Sequence, residues 1–369
     1  MLHVASSDQH RGAETFLADL IPELEAWGVS QRVALLRTTT GARVSFSVPR
    51  TVLGGDGSLP GIRLDPRTIR ALRAAAGWRP DVVFAHGGEA FKHAAVALAG
   101  TATPLVYRKI GSSPKRRVRG LRRLGYAALM RRAARVIAVS EAVARETATR
   151  FGVPQRRIVT VPNAVDGRRI RPGRPRADVR RDLAIAPEAP VVISLGALTW
   201  EKDPLAHVEV MARVARRRPG VIHLIVGDGV LRPAVEEAVR RSGAEDGTRM
   251  LGVRDDVGDL LAAADVLLLA SRTEGMPASV IEAGMRGLPV AAFAVSGVPE
   301  VVVQGQTGIL VAQGDLKGLA RGLLELVDDP GRRREMGRAA SVRCRDRFDI
   351  RAVAPAYAQL AKELTGGPS

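Results

Sequence analysis

The sequence predicts two successive doubly wound α/β units, each a parallel sheet with helices between its strands. Three observations carry that expectation. The chain has 369 residues, more than one ordinary hydrophobic core holds, so two domains of similar size are the default. Short apolar runs alternate with longer amphipathic ones along the whole length, and strand–helix–strand repeated in series is the pattern of a doubly wound sheet. Near the middle, "DGRRIRPGRPRADVRRDLAIAPEAP" (166–190) is rich in Pro, Gly and Arg and reads as a linker.

In the first half the strand candidates are 2–7, 31–36, 81–87, 104–111, 135–140 and 158–165. In the second half they are 191–196, 221–229, 249–253, 265–271, 289–297 and 307–311. Runs such as "VVISLG" and "DVLLLAS" are continuously apolar rather than alternating. That is the signature of strands covered on both faces, as in parallel sheets. Helical periodicity fills the intervals at 13–27, 141–151, 205–217 and 232–242, among others. The expected division is 1–166, a linker over 167–189, a second domain over 190–345, and a C-terminal helix over 346–369 returning towards the first domain.

Composition narrows the function classes. Hydrophobic content of 46% beside 25% charged residues describes a globular chain. One cysteine, Cys344, excludes an intrachain disulfide and fits a reducing compartment. The chain enters a strand at once with "LHVASS", which is not the pattern of a signal peptide, and no apolar run approaches the length of a membrane span. A soluble cytoplasmic protein is therefore expected. The net charge of +18 is uneven: residues 114–135, "PKRRVRGLRRLGYAALMRRAAR", contain no acid.

The most informative stretch is "SRTEGMPASVIEAG" (271–284), directly after the apolar strand 265–271. In open parallel sheets ligands bind beyond the carboxyl ends of the strands, here in a cleft between the two units. A helix starting near Pro277 tolerates proline in its first turn. The backbone N–H groups of Gly275, Met276 and the following turn then face an anion. Glu274 would point at a reacting centre and Glu282, about two helical turns on, at paired hydroxyls such as those of a ribose. An isolated E-x7-E is more often a helix with solvent-facing glutamates. The preceding buried strand and the Gly-Met-Pro turn favour a site.

These residues lie in a longer match. The segments "SLGALTWEKDPL", "IVGDGVLRPAVEE", "RDDVGDLLAAADVLLLASRTEGMPASVIEAGMRGLPV" and "DPGRRREMG", with "RGAETFLADLIPELEAWG" and "ARVIAVSEAVARETATRFGVPQRRIVTVPNAVD" in the first half, resemble the retaining glycosyltransferases of family 4. The resemblance implies a GT-B fold, two doubly wound Rossmann-like domains facing a cleft, and transfer of a sugar from a nucleotide-diphosphate donor to a hydroxyl acceptor. It implies no metal and no cofactor. Glu274 would contact sugar hydroxyls, with Gly275, Met276 and Pro277 holding sugar and phosphate. Glu282 would bind the ribose, Lys202 would neutralise the diphosphate, and Gly12 would let backbone approach it. Val253 and Arg254 would lie by the base. On the residues alone, Lys202 beside Glu201 reads equally as a surface ion pair.

Three positions depart from the family pattern: Ala197 stands where an arginine is frequent, Arg11 where a glycine is, and Ile110 where a histidine is. Arg11 and Arg272 are candidates to replace the missing cation. His86, at a strand's carboxyl end in "DVVFAHGGEA", is a catalytic or acceptor-orienting candidate, with a plain strand-end role as its alternative. The basic stretch with Lys115, Arg116, Arg117, Arg119, Arg122 and Arg123 reads as an ordinary helix, as a contact to an anionic membrane serving a glycan or lipid-linked acceptor, or both. Drawn as a helix, it places Val118, Leu121, Leu124, Gly125, Ala128 and Leu129 on one side. Aromatic residues are 4% of the chain, so stacking on nucleic-acid bases has little support and no nucleic-acid partner is expected. A nucleotide-sugar-binding protein with weak transfer is the alternative to an active enzyme, motivated by Ala197 and Ile110. A basic nucleic-acid-binding protein is the distant one.

Overall fold

The computed structural model describes residues 1–9, 11–38, 43–54, 64–111 and 121–366, with 121–124 described by backbone alone. Two compact units divide the chain, Met1–Ala164 with Ile350–Ser369 and Val165–Asp349.

In the first unit the elements run β1 (Leu2–Ala5), α1 (Gly12–Glu25), β2 (Arg32–Leu35), β3 (Arg50–Val52), α2 (Pro66–Ala75), β4 (Val83–His86), α3 (Gly88–Ala97), β5 (Leu105–Lys109), α4 (Leu121–Arg132), β6 (Arg135–Ala138), α5 (Glu141–Phe151) and β7 (Ile158–Thr160). The strands form one parallel sheet in the order β3-β2-β1-β4-β5-β6-β7. The strand order reverses between β1 and β4, and that switch point is where such sheets bind ligands. Strand β3 was not expected from the sequence. Its three residues are all exposed and it lies at the sheet edge, so it carries no apolar signature.

The second unit runs α6 (Arg176–Asp182), β8 (Val191–Leu195), α7 (Pro204–Arg217), β9 (Ile222–Val226), α8 (Arg232–Ser242), β10 (Thr248–Gly252), α9 (Val257–Ala263), β11 (Val266–Leu269), α10 (Ala278–Met285), β12 (Val290–Phe293), α11 (Val298–Val301), β13 (Gly308–Val311), α12 (Leu316–Asp328) and α13 (Pro330–Phe348). Its parallel sheet has the order β10-β9-β8-β11-β12-β13, with the switch between β8 and β11. The final helix, α14 (Ile350–Thr365), belongs to the first unit. Its Val353, Tyr357 and Ala361 join Phe16, Leu20 and Leu24 of α1 and Phe84, Val106 and Ile137 of the sheet in one core.

That core contains a charge. Arg108, 1% exposed, lies with its guanidinium 3.6 Å over the Phe16 ring. It donates to Tyr357 Oη (2.9 Å) and Asn163 Oδ1 (2.7 Å). A buried cation is tolerable only where such partners replace water, so Arg108 couples β5 to α14.

Residues 167–189 are more than a linker. Arg180 in α6 is 3% exposed and donates to the carbonyls of Ala263, Pro187 and Ala189 and to Asp265. Asp259 accepts from the Gly173 and Arg174 backbone. The Pro, Gly and Arg content that resembles a spacer instead supplies donors that fasten this segment to α9 and β11. In α4, Gly125 and Ala128 are exposed, whereas Met130 and Ala133 are buried and Tyr126 meets Phe151 at 4.9 Å. The packed side of this helix is thus rotated from the expected one, because aromatic contact with α5 outweighs the small residues. Lys115, Arg116, Arg117 and Arg119 lie outside the described residues, and of Arg122 and Arg123 only the backbone is described. No helix among the described residues is long and apolar enough to cross a membrane.

Candidate active site

The switch point of the second sheet gathers the residues of interest. Lys202 follows β8 and Glu274 follows β11, the two strands that pair there. Lys202 Nζ donates to Glu274 Oε1 at 2.7 Å, and Ser271 Oγ donates to the same oxygen at 2.7 Å. Glu274 is 7% exposed at its side chain and Lys202 is 28% exposed. The ion pair therefore belongs with Glu274, not with the neighbouring Glu201. A carboxylate with so little water depends on such donors in place of solvent.

Backbone packing fixes the loop that carries Lys202. A Cβ on Gly227 would come within 2.0 Å of the Gly196 carbonyl oxygen, and one on Gly229 within 2.5 Å of the Leu198 oxygen. Gly227 also has φ of +131°, outside the range of other residues. The "GDG" turn after β9 thus presses directly on the loop after β8, with the Leu198 N–H donating to the Asp228 oxygen (3.0 Å). His207 ties the same loop to β11. Its Nδ1 faces the Asp203 carbonyl (3.0 Å), and its Nε2 accepts from the Ala270 N–H (3.1 Å). That pairing fixes the neutral tautomer, and burial depresses its pKa.

Beyond Glu274, the Gly275-Met276-Pro277 turn is buried and leads into α10, with Pro277 as N-cap residue rather than first helical residue. The first-turn N–H groups of a helix lack intrahelical partners and favour an anion. Ser279, in that turn, has a buried hydroxyl without a partner among the described residues. Glu282, one turn on, pairs with Arg169 (Nη2 to Oε1, 2.9 Å). The carboxylate proposed for a ribose thus already holds a guanidinium.

The other expected residues fall into place unevenly. Arg254 is held by Asp256 through two hydrogen bonds of 2.8 and 2.6 Å, leaving Val253, 52% exposed, as the open part of that turn. Arg272 pairs with Asp203 (2.7 Å) and lies 5.5 Å from the Trp200 ring centroid. In this arrangement its guanidinium is held by Asp203.

In the first unit, Gly12 opens α1 at the β1/β4 switch, and a Cβ there would meet nothing within 4 Å. Arg11 is exposed beside it. His86 ends β4 but is 1% exposed. Its Nε2 lies 3.1 Å from His3 Nδ1, and His3 Nε2 lies 2.9 Å from Gln31 Oε1. Since Gln31 donates its amide to the Ile21 carbonyl, the chain reads Gln31 ← His3 ← His86, all neutral. Desolvation lowers the pKa of His3 to about 4 and that of His86 well below its ordinary value. The buried His86 ring pins β1 to β4 through His3, which fits the strand-end role.

Residues 10–169 match the model of Glycosyltransferase Family 4, and residues 175–343 match that of Glycosyl transferases group 1. The chain belongs to the family 4 glycosyltransferases. The 2-deoxystreptamine glucosyltransferase of Streptomyces kanamyceticus is 31% identical over 205 residues, 54% of this chain and 53% of that protein. The chain thus spans about half the length of that relative. Two solved structures show the GT-B fold. Sucrose-phosphate synthase from Thermosynechococcus elongatus superposes with a TM-score of 0.85 at 20% identity over 99% of both chains. Anabaena HepE in complex with UDP-glucose superposes with a TM-score of 0.82 at 23% identity, over 98% of this chain and 99% of that one.

Several further residues of the two units were not singled out from the sequence. Ser271 and Ser279 are small hydroxyls without a pattern of their own. Arg169 lies 113 positions from Glu282. His207 lies outside every motif of the sequence. Glu14 had a signal, since it sits in the same "RGAE" turn as Gly12. It is 5% exposed, and burial raises its pKa to about 7 although its own and the Ser7 backbone N–H groups bond it.

Proposed function

We propose that the chain is a retaining transferase that moves a sugar from a nucleoside-diphosphate donor to a hydroxyl of a glycan or lipid-linked acceptor. The observation that carries this is the Lys202–Glu274–Ser271 cluster at the β8/β11 switch, adjoining the α10 N-terminus. An ammonium has three donors, and Lys202 uses one on Glu274. The others suit the outer phosphate of the donor, where negative charge grows as the bond from the anomeric carbon to the phosphate oxygen breaks. The first-turn N–H groups of α10 and the Ser279 hydroxyl add donors to the same anion. Charge stabilisation that strengthens towards the transition state raises the rate rather than merely the affinity, and this arrangement invokes no metal. The acceptor oxygen forms the new bond on the face the phosphate leaves, and the leaving phosphate takes the acceptor proton.

Glu274 accepts from sugar hydroxyls while Lys202 holds it in place. Glu282 accepts from the ribose, which requires Arg169 to share or yield that carboxylate. The basic run from Lys115 to Arg123 supplies attraction to an anionic membrane of about 1 kcal/mol per residue, which suits a lipid-linked acceptor.

Thermal shift against UDP, GDP, ADP and their sugar conjugates tests the donor site. One nucleotide class should raise the melting temperature of the wild type and raise it much less in Glu282→Ala. Equal stabilisation of both proteins would remove Glu282 from the donor site. Stabilisation of neither would remove the site itself.

A further inference from the structure

A second basic site lies in the other face of the same unit. Helix α10 leaves the carboxyl end of β11, and its last residues return the chain to the amino end of β12. Met285, Arg286 and Gly287 there line a cavity of about 300 Å³ together with Arg334, Arg338, Ser341 and Arg345 of α13. The α13 residues are spaced by four, three and four positions, so they occupy one helix face. No Asp or Glu lines this cavity.

Several helical arginines elsewhere in the unit pair with an acid three or four positions away: Arg181 with Asp178, Arg213 with Glu209, Arg232 with Glu236, and Arg241 with Glu237. Arg334 and Arg338 are instead like charges one turn apart, an arrangement that disfavours a helix. None of the four cavity arginines bonds a carboxylate among the described residues. Arg345 reaches only the Met285 carbonyl (3.3 Å), and the Arg286 Nε is buried with no partner. The α13 helix packs closely on the turn after α10, where a Cβ on Gly337 would come within 2.0 Å of the Gly287 oxygen. Four guanidiniums held together without counter-charge are unfavourable unless an anion joins them. Guanidinium forks match phosphate oxygens in geometry as well as charge.

We propose that this cavity is an anion site for a phosphate-bearing ligand, separate from the donor site at Lys202 and independent of the transferase assignment. The phosphate belongs to a soluble phosphorylated metabolite or to an anionic lipid headgroup, and the test separates the two. Melting temperature is measured with inorganic pyrophosphate at constant ionic strength for wild type, Lys202→Ala, Arg334→Gln and the double variant Arg338→Gln/Arg345→Gln. Cosedimentation with vesicles containing phosphatidylglycerol, against phosphatidylcholine alone, is run in parallel. The exposed positions of the three substituted arginines keep the variants folded, and Arg334→Gln offers a milder check.

A soluble ligand predicts that pyrophosphate still stabilises Lys202→Ala, in which the donor site has lost its ammonium. The apparent affinity of pyrophosphate then falls at least tenfold in the double variant and by a smaller factor in Arg334→Gln. A headgroup predicts no pyrophosphate shift in Lys202→Ala, with vesicle binding that requires phosphatidylglycerol and is lost in the double variant. The proposal is overturned if the double variant behaves as wild type in both assays, if wild type responds to neither, or if only Lys202→Ala abolishes the pyrophosphate shift and vesicle binding does not require phosphatidylglycerol.

Discussion

Lys202 and Glu274 make different demands on stability and on activity, so paired substitutions separate the two. Lys202→Ala leaves a carboxylate that is 7% exposed with Ser271 as its remaining named donor, which costs about 1–3 kcal/mol. Adding Glu274→Gln removes the stranded charge and should recover part of that loss. Activity should not recover, because the donor's phosphate still lacks its ammonium; we expect a fall in kcat of roughly 10²–10³ for either protein. Chemical denaturation beside a turnover assay measures both. A double variant no more stable than Lys202→Ala would contradict the pairing.

Glu14 gives a pH signature at the same scale. Its folded pKa of about 7 lies above its ordinary 4.5, so the folded chain binds more protons than the unfolded one between those values. Stability from this group is complete below pH 4.5 and is lost as pH rises through 7, by on the order of 3 kcal/mol. Glu14→Gln should therefore gain on wild type steadily between pH 4.5 and 7 and hold a constant lead above. A lead independent of pH would show that Glu14 is solvated in the folded state. Neither effect was legible in the sequence, because burial of an acid in a first helical turn depends on how α1 packs against the sheet.

Elements differ in how openly the sequence declares them. Strands β8, β11 and β12 are buried along their whole length, and their apolar runs stand out. Exposed β3 has none. The Gly-Met-Pro turn was readable because its chemistry follows a buried strand within a few residues. The "GDG" turn was not, since its purpose is contact with a loop some thirty positions earlier, where Gly227 meets Gly196. Gly227→Ala should accordingly lower stability by more than the usual ~1 kcal/mol of a glycine replacement, through both clash and φ. It should also weaken donor-nucleotide binding by displacing the loop that carries Lys202. Unchanged melting temperature and unchanged nucleotide affinity in that variant would show the loop to be compliant. The segment 167–189 teaches the converse. Its composition resembles a spacer, yet Arg180 alone makes four hydrogen bonds at or below 3.0 Å, and Arg180→Ala should destabilise the second unit by several kcal/mol.

For the whole molecule, the charge of +18 has several destinations. Some arginines bind carbonyls, as Arg132 does those of Leu98 and Thr103, Arg333 those of Leu326 and Val327, and Arg343 those of Glu300 and Val301. Others pair with acids on the same helix. Composition cannot distinguish these from the cavity arginines of α13, which is why the sequence drew notice to 114–135 instead. The division into two parallel sheets was legible because continuous apolar strands repeat in both halves. The ends of those sheets were legible only where a motif concentrates its chemistry in one stretch, as at 271–284, and the Lys202–Glu274 contact spans 72 positions.

Transfer itself is the central claim. The most direct measurement incubates the chain with nucleotide sugars labelled in the sugar, together with cell-envelope extract, and follows the label with wild type and Lys202→Ala. The account predicts that wild type moves label from one nucleotide class into acceptor with the anomeric configuration kept, and that Lys202→Ala does so at least a hundredfold more slowly. Label that stays on every nucleotide with wild type, or that transfers equally with Lys202→Ala, would contradict it.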